Sequence, residues 1–210
     1  MKPADVDDFF SRMSKANPEP KTELDYVNGY TFLVAVVLSA QTTDKGVNKA
    51  TAVLFKNVKT PQAMLELGEA GLKKYIKTIG LYNAKAKNIM ALSQALVEKF
   101  GGEIPSTQEE LQSLPGVGRK SANVVLNAFF GQPVIAVDRH VLRVANRTGL
   151  AKGETPEEIE EQLMRIVPKK WLPHAHHWLV LHGRYVCTAR APQCPTCLVR
   201  DLCSFTDKTK

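Results

Sequence analysis

Three groups of side chains in this 210-residue chain have types and spacings that could do chemistry. The first is a run of thiols. Every cysteine of the chain lies near its end, at Cys187, Cys194, Cys197 and Cys203, in the pattern C-x6-C-x2-C-x5-C. Four thiols gathered within 17 residues read as ligands of one metal centre. Disulfides are the poorer reading, because the start of the chain (Met-Lys-Pro-Ala-Asp-Val-Asp-Asp) puts acids where a signal peptide needs an apolar run. The expected compartment is therefore a reducing cytosol, where structural disulfides are rare. Four thiolates also suit a tetrahedral zinc ion. Zinc ribbons, however, usually pair two short knuckles far apart, whereas here one loop bent by Pro192 and Pro195 supplies every ligand. Such uneven spans suit the larger [4Fe-4S] cube better, and zinc stays the alternative. Arg184, Arg190 and Arg200 lie in or beside the loop, as charge partners or as solvated surface groups.

The second group is Leu114-Pro115-Gly116-Val117-Gly118-Arg119-Lys120-Ser121-Ala122. Helical patterning on both sides makes it a helix–hairpin–helix. Two glycines let the backbone turn with positive φ and approach another body closely. The helix that follows aims free N–H groups outward, which suits a phosphate and reads no base sequence. Lys120 at that helix start is a phosphate contact or a nucleophile. An amine must shed its proton to attack carbon, and a pKa of ~10.4 is too high for that at neutral pH. Arg119, the helix terminus and partial burial would all lower it. The third group is Asp138, which follows the apolar run Val134–Val137. It is a helix N-cap, and a carboxylate placed there can also stabilise a developing cation.

The elements that must hold these groups are helices. Val6, Phe9, Phe10 and Met13 recur at helical spacing, and Tyr30 to Ala40 is apolar nearly all round. Asp44 is expected to cap a further helix. Gly68 and Gly71 split the segment around Met64 and Leu72 into two short helices. Asn83 to Phe100 forms a long helix that Gly101-Gly102 ends. Further helices are expected over Gly118–Phe130, Asp138–Arg147, from Thr155 to Val167, and over Trp171–Cys187. Only Pro133–Val137 reads as a strand, and five residues cannot build a sheet. The fold class is all-α. Lys plus Arg number 28 against 21 Asp plus Glu, a formal charge of +7 that fits a polyanionic partner. A composition of 44% hydrophobic and 23% charged residues excludes wholesale disorder. The longest apolar stretch, Phe32 to Leu38, is far short of the ~20 residues of a membrane span. The histidines near Pro173 (His174, His176 and His177) lack the carboxylates that would make them a metal site.

Together these residues resemble the endonuclease III family of DNA glycosylases, within the helix-hairpin-helix superfamily. The likeness rests on the 114–122 hairpin, on Val137-Asp138-Arg139-His140, and on the cysteine loop. Ser39–Asp44 and Ile79-Gly80-Leu81-Tyr82 fit as well. Arg139 stands where a small polar residue is frequent in the family. The resemblance implies two helical domains with a DNA-binding cleft between them. One is a six-helix barrel over 22–132, with the helix–hairpin–helix at about 108–127. The other joins 1–21 to 133–210 and carries an iron–sulfur loop at 187–203. It implies a bifunctional DNA glycosylase and abasic-site lyase, acting as a monomer in the cytoplasm. Its substrate would be double-stranded DNA with oxidised or ring-saturated pyrimidines or abasic sites. Lys120 would attack the sugar C1′ and form a Schiff base, and β-elimination would nick the strand on the 3′ side. Asp138 would assist. Gly116, Gly118, Arg119 and His140 would contact DNA. Cys187, Cys194, Cys197 and Cys203 would hold a [4Fe-4S] cluster with no redox step in base removal. Gln41 and Leu81 would fill the gap left by the extruded base; read alone, the one is a capping polar group and the other a core leucine. Two rival readings are an adenine-mismatch glycosylase, which lacks the lysine and carries a further C-terminal domain, and a non-catalytic DNA-binding module.

Overall fold

The computed structural model describes residues 1–209, and these hold eleven α-helices and no strand. The chain forms two compact units, one of residues 23–130 and one that joins residues 1–22 to the segment from 131 onward.

The 23–130 unit is built around α2 (Gly29–Leu38), whose ten residues are all buried. A capping box starts it: Asn28 accepts from Thr31 N, and the Thr31 hydroxyl accepts in return from Asn28 N. Helices α3 (Asp44–Thr51) and α4 (Leu54–Asn57) follow. Thr43, and not Asp44, caps α3: its hydroxyl accepts from Gly46 N, and Asp44 is the first helical residue. Helix α5 (Pro61–Ile76) breaks at Gly68, whose φ of 71° no ordinary residue adopts cheaply, while Gly71 stays helical. It packs along α6 (Tyr82–Phe100), which buries Ile89, Leu92 and Leu96 and ends on left-handed Gly101. Helices α7 (Gln108–Ser113) and α8 (Arg119–Ala128) complete the unit. Inside it the Tyr30 hydroxyl shares a 2.6 Å hydrogen bond with Ser93 Oγ, and burial holds the phenol well above its ordinary pKa.

The other unit packs α1 (Pro3–Ala16) with α9 (Arg139–Thr148), α10 (Pro156–Ile166) and α11 (Leu172–Tyr185). Phe9, Phe10 and Met13 of α1 share a core with Trp178 of α11. Polar ties join the two ends of the chain. Trp171 Nε1 donates to Asp7 at 2.7 Å and Trp178 Nε1 to Asn17 O at 2.8 Å. Arg12 grips Asp201 through both carboxylate oxygens, at 2.6 and 3.0 Å. Residues 134–138 form no strand; Ile135, Ala136 and Val137 are buried. Among the described residues no helix is long and apolar enough to cross a membrane.

His177 on α11 has a buried Nδ1 with no hydrogen-bond partner among the described residues. Burial, then the nearby His174, pushes its pKa down to about 4. An unfolded imidazole titrates near ~6.5, so between there and about 4 the unfolded chain binds more protons. Stability is therefore full above that window and falls as the pH drops through it. Urea midpoints measured across the window should decline for the wild type and decline less for His177→Gln.

Candidate active site

The hairpin between α7 and α8 is fixed from below by apolar side chains: Leu111, Leu114 and Val117 are all buried. Gln108 Nε2 donates to Asn123 Oδ1 at 2.7 Å and ties the two helices together. Gly116 is required twice over. Its φ is +81°, and a Cβ there would lie 3.0 Å from Asn88 Cβ of α6. Gly118 differs from the sequence expectation. It sits at φ −91° and ψ 176°, which any residue adopts, and a Cβ would meet nothing within 4 Å. What it supplies is open space at the head of a ten-residue helix whose N-cap has no side chain bonded to the helix N–H groups. Arg119 and Lys120 stand in that first turn, both exposed. The partial burial expected of Lys120 is not found; the residue is exposed.

Gln41 and Leu81 are the two non-glycine residues with positive φ among the described residues, at 56° and 59°. Leu81 is 64% exposed, so it is no core leucine. Gln41 is exposed too and caps no helix, since Thr43 does that. Both belong to the same unit as the hairpin, and α6 connects all three. Leu81 precedes its first residue, Lys85 stands one turn on, and Asn88 lies against Gly116. That spacing puts the three on one helix face.

Asp138 is the N-cap of α9: its Oδ1 accepts from His140 N at 2.8 Å and from Val141 N at 3.0 Å. The His140 ring lies between Arg139 and Arg143, 3.5 and 3.3 Å from their nitrogens. Burial, outweighing the pull of Asp138, lowers its pKa.

The cysteine loop is held from α9. Arg143 donates to Gly183 O at 2.7 Å and Cys187 O at 2.9 Å. One turn on, Arg147 donates to Thr188 O at 2.7 Å and Ala189 O at 2.9 Å, with Nη1 3.8 Å from Cys187 Sγ. All four cysteines are half-buried and line one cavity of about 350 Å³, part of it open to solvent. Arg147, Arg200 and Lys208 line it as well, whereas Arg184 and Arg190 do not. A single zinc would draw all four sulfurs to about 2.3 Å from one point. Four thiols lining one opening, with three cations to offset their charge, also suit a polynuclear cluster.

A family model described as "HhH-GPD superfamily base excision DNA repair protein" matches residues 34–169. Endonuclease III of Rickettsia conorii is 58% identical over 200 residues, 95% of either chain. That of Escherichia coli K12 is 52% identical over 201 residues, 96% of this chain and 95% of its own. A solved structure of a trapped endonuclease III–DNA covalent intermediate, an estranged-adenine complex, matches with a TM-score of 0.91. It is 42% identical and covers 97% of this chain and 96% of its own. The chain belongs to the endonuclease III family. It is thus a base-excision-repair DNA glycosylase with the all-helical fold of that family.

For this endonuclease III family member, sequence reasoning missed the residues that hold the site together. The signal for Arg143 and Arg147 is that Arg139, Arg143 and Arg147 recur every fourth residue and so share one face of α9. Lys85 carries no such signal. Nothing in its surroundings in sequence marks it as buried, yet it is.

Proposed function

We propose that this protein removes oxidised or ring-saturated pyrimidines from duplex DNA and then nicks the abasic strand. The observation that carries the reading is Lys120. It is exposed in the first turn of α8, beside the open backbone of Gly118, in a chain whose relative has been solved as a covalent DNA intermediate. Phosphates lie along the hairpin, on the N–H groups at the start of α8 and on Arg119. The damaged nucleotide swings out, and Gln41 and Leu81 enter the space it leaves. The unprotonated Lys120 Nζ bonds to C1′ as the bond from C1′ to the base breaks, and the base departs with the electron pair and a proton. Opening of the sugar ring gives a protonated Schiff base. Loss of a C2′ proton then expels the 3′ phosphate, which is the nick, and water releases the enzyme amine. Asp138 offsets the positive charge that develops on the sugar, and His140 contacts the DNA.

The cysteine centre is read as a [4Fe-4S] site held by Cys187, Cys194, Cys197 and Cys203. Bound there, the cluster supplies structure and charge. Arg143 and Arg147 hold the loop backbone that presents the four thiols, and Arg200 and Lys208 balance their charge.

Base release and strand nicking, scored separately over a panel of duplexes, test the whole reading. Thymine glycol and other ring-saturated pyrimidines should give both products, and an adenine mispair should give neither. Base release without nicking would refute the lyase step.

The cap and the charge of Asp138 can be separated. Asn is as good an N-cap as Asp, so Asp138→Asn should keep the melting temperature and lose activity by about 10²–10³-fold. Asp138→Ala should lose similar activity and about 1 kcal/mol of stability as well. Equal activity of Asn and Asp in single-turnover assays would leave Asp138 a helix cap only.

A further inference from the structure

Lys85 is a lysine that the proposed chemistry does not use. It is only 5% exposed, on the face of α6 that also meets the hairpin. Its Nζ donates to Leu38 O and to Thr42 Oγ1, both at 2.9 Å. Leu38 is the last residue of α2, where the unpaired carbonyls favour a cation. These bonds compensate the burial, which by itself pulls the ammonium's pKa down.

Gln41 lies in the turn that these two bonds span, and the turn is closed by Thr42 N donating to Ser39 O at 3.1 Å. The backbone N–H of Lys85 donates in turn to Leu81 O at 3.0 Å. The Nζ bonds therefore flank left-handed Gln41, while the bond to left-handed Leu81 is the ordinary backbone bond that opens α6. A non-glycine residue in that conformation costs about 1–3 kcal/mol and persists only where its surroundings impose it. With its ammonium bonded on either side of Gln41, Lys85 is such a surrounding for that turn, and it ties the turn to the helix that Leu81 begins.

We propose that Lys85 is a positioning residue whose ammonium clamps the Ser39–Thr42 turn to the start of α6, so that Gln41 and Leu81 are presented together and already ordered to the gap left by an extruded nucleotide. The proposal rests on the reading of Gln41 and Leu81 as gap-filling residues. Preordered side chains do not lose their freedom at the moment of binding. Lys85 should therefore act on discrimination between a gapped and an intact duplex.

The measurement is the ratio of affinities for a duplex with a tetrahydrofuran abasic analogue and for the same duplex undamaged. Lys85→Met, which keeps the length and loses the donors, should lower the ratio about tenfold, within the range of coupling between neighbouring residues. Lys85→Arg, which retains donors, should restore most of it. In a Gln41→Ala/Leu81→Ala background, adding Lys85→Met should lower the ratio no further, because the side chains it positions are gone. A general structural role would show the same loss in both backgrounds. If the double alanine variant keeps the wild-type ratio, the gap-filling reading is wrong and this inference goes with it. If the double variant loses discrimination but Lys85→Met lowers the ratio further in that background, or leaves it unchanged in the otherwise wild-type protein, the inference alone is wrong. Thr42→Val leaves Lys85 in place and removes one acceptor, and it carries the same cycle should Lys85→Met fail to fold.

Discussion

Lys120→Ala should form no borohydride-trapped adduct with duplex DNA containing thymine glycol or an abasic site, under conditions in which the wild type is trapped. Borohydride reduces a protonated Schiff base to a stable amine, so the adduct reports the bond between Nζ and C1′ directly. Single-turnover base release should fall by at least about 10³-fold, the scale on which a covalent nucleophile is missed. Lys120→Arg sharpens the result. Arginine keeps the charge and any phosphate contact at the head of α8, yet stays protonated and cannot attack carbon. It should bind lesion DNA within a fewfold of wild type and trap none of it. Trapping by the alanine variant equal to wild type would remove Lys120 from the chemistry and leave it a phosphate contact. The exposure of Lys120 makes the experiment clean, because its truncation leaves no cavity in the fold.

The second large effect is expected at the cysteine cavity. Protein purified without oxygen should be coloured and carry about four irons per chain, with little zinc. Cys197→Ala should lose most of that iron. The loss should spread, because the loop is bonded to α9 through Arg143 and Arg147, and Cys187 and Cys197 pack against the core shared by α1 and α11. Losing a metal centre is among the few single changes that cost several kcal/mol. At about 2–4 °C per kcal/mol for a chain of this size, the melting temperature should drop by about 10 °C. A colourless, zinc-loaded wild type would overturn the iron reading. So would a cysteine variant that melts like wild type with its iron intact.

Much of this molecule is local chemistry, and local chemistry is written along the chain. The apolar period of α1, the all-round apolarity of α2, the glycines that end α6 and the capping residues Thr155 and Asp138 each act within a few neighbours. The helices and the all-α class follow from them. The same holds for the four clustered thiols and for the Gly-x-Gly-Arg-Lys turn, whose partners stand beside them in sequence.

Other features depend on residues far apart and could not be read in that way. The left-handed backbone of Gln41 and Leu81 is asked for by no property of glutamine or leucine. Burial of Lys85 depends on α2 ending next to α6. The ties from Trp171 to Asp7 and from Arg12 to Asp201 span more than 160 residues. The cations that line the thiol cavity include Arg147 of a distant helix, while Arg184 and Arg190, nearer in sequence, stay out of it. Residue types decide which helices form and which groups can react. Which of those groups are exposed, strained or paired is decided when the helices pack, because burial and long-range hydrogen bonds exist only then.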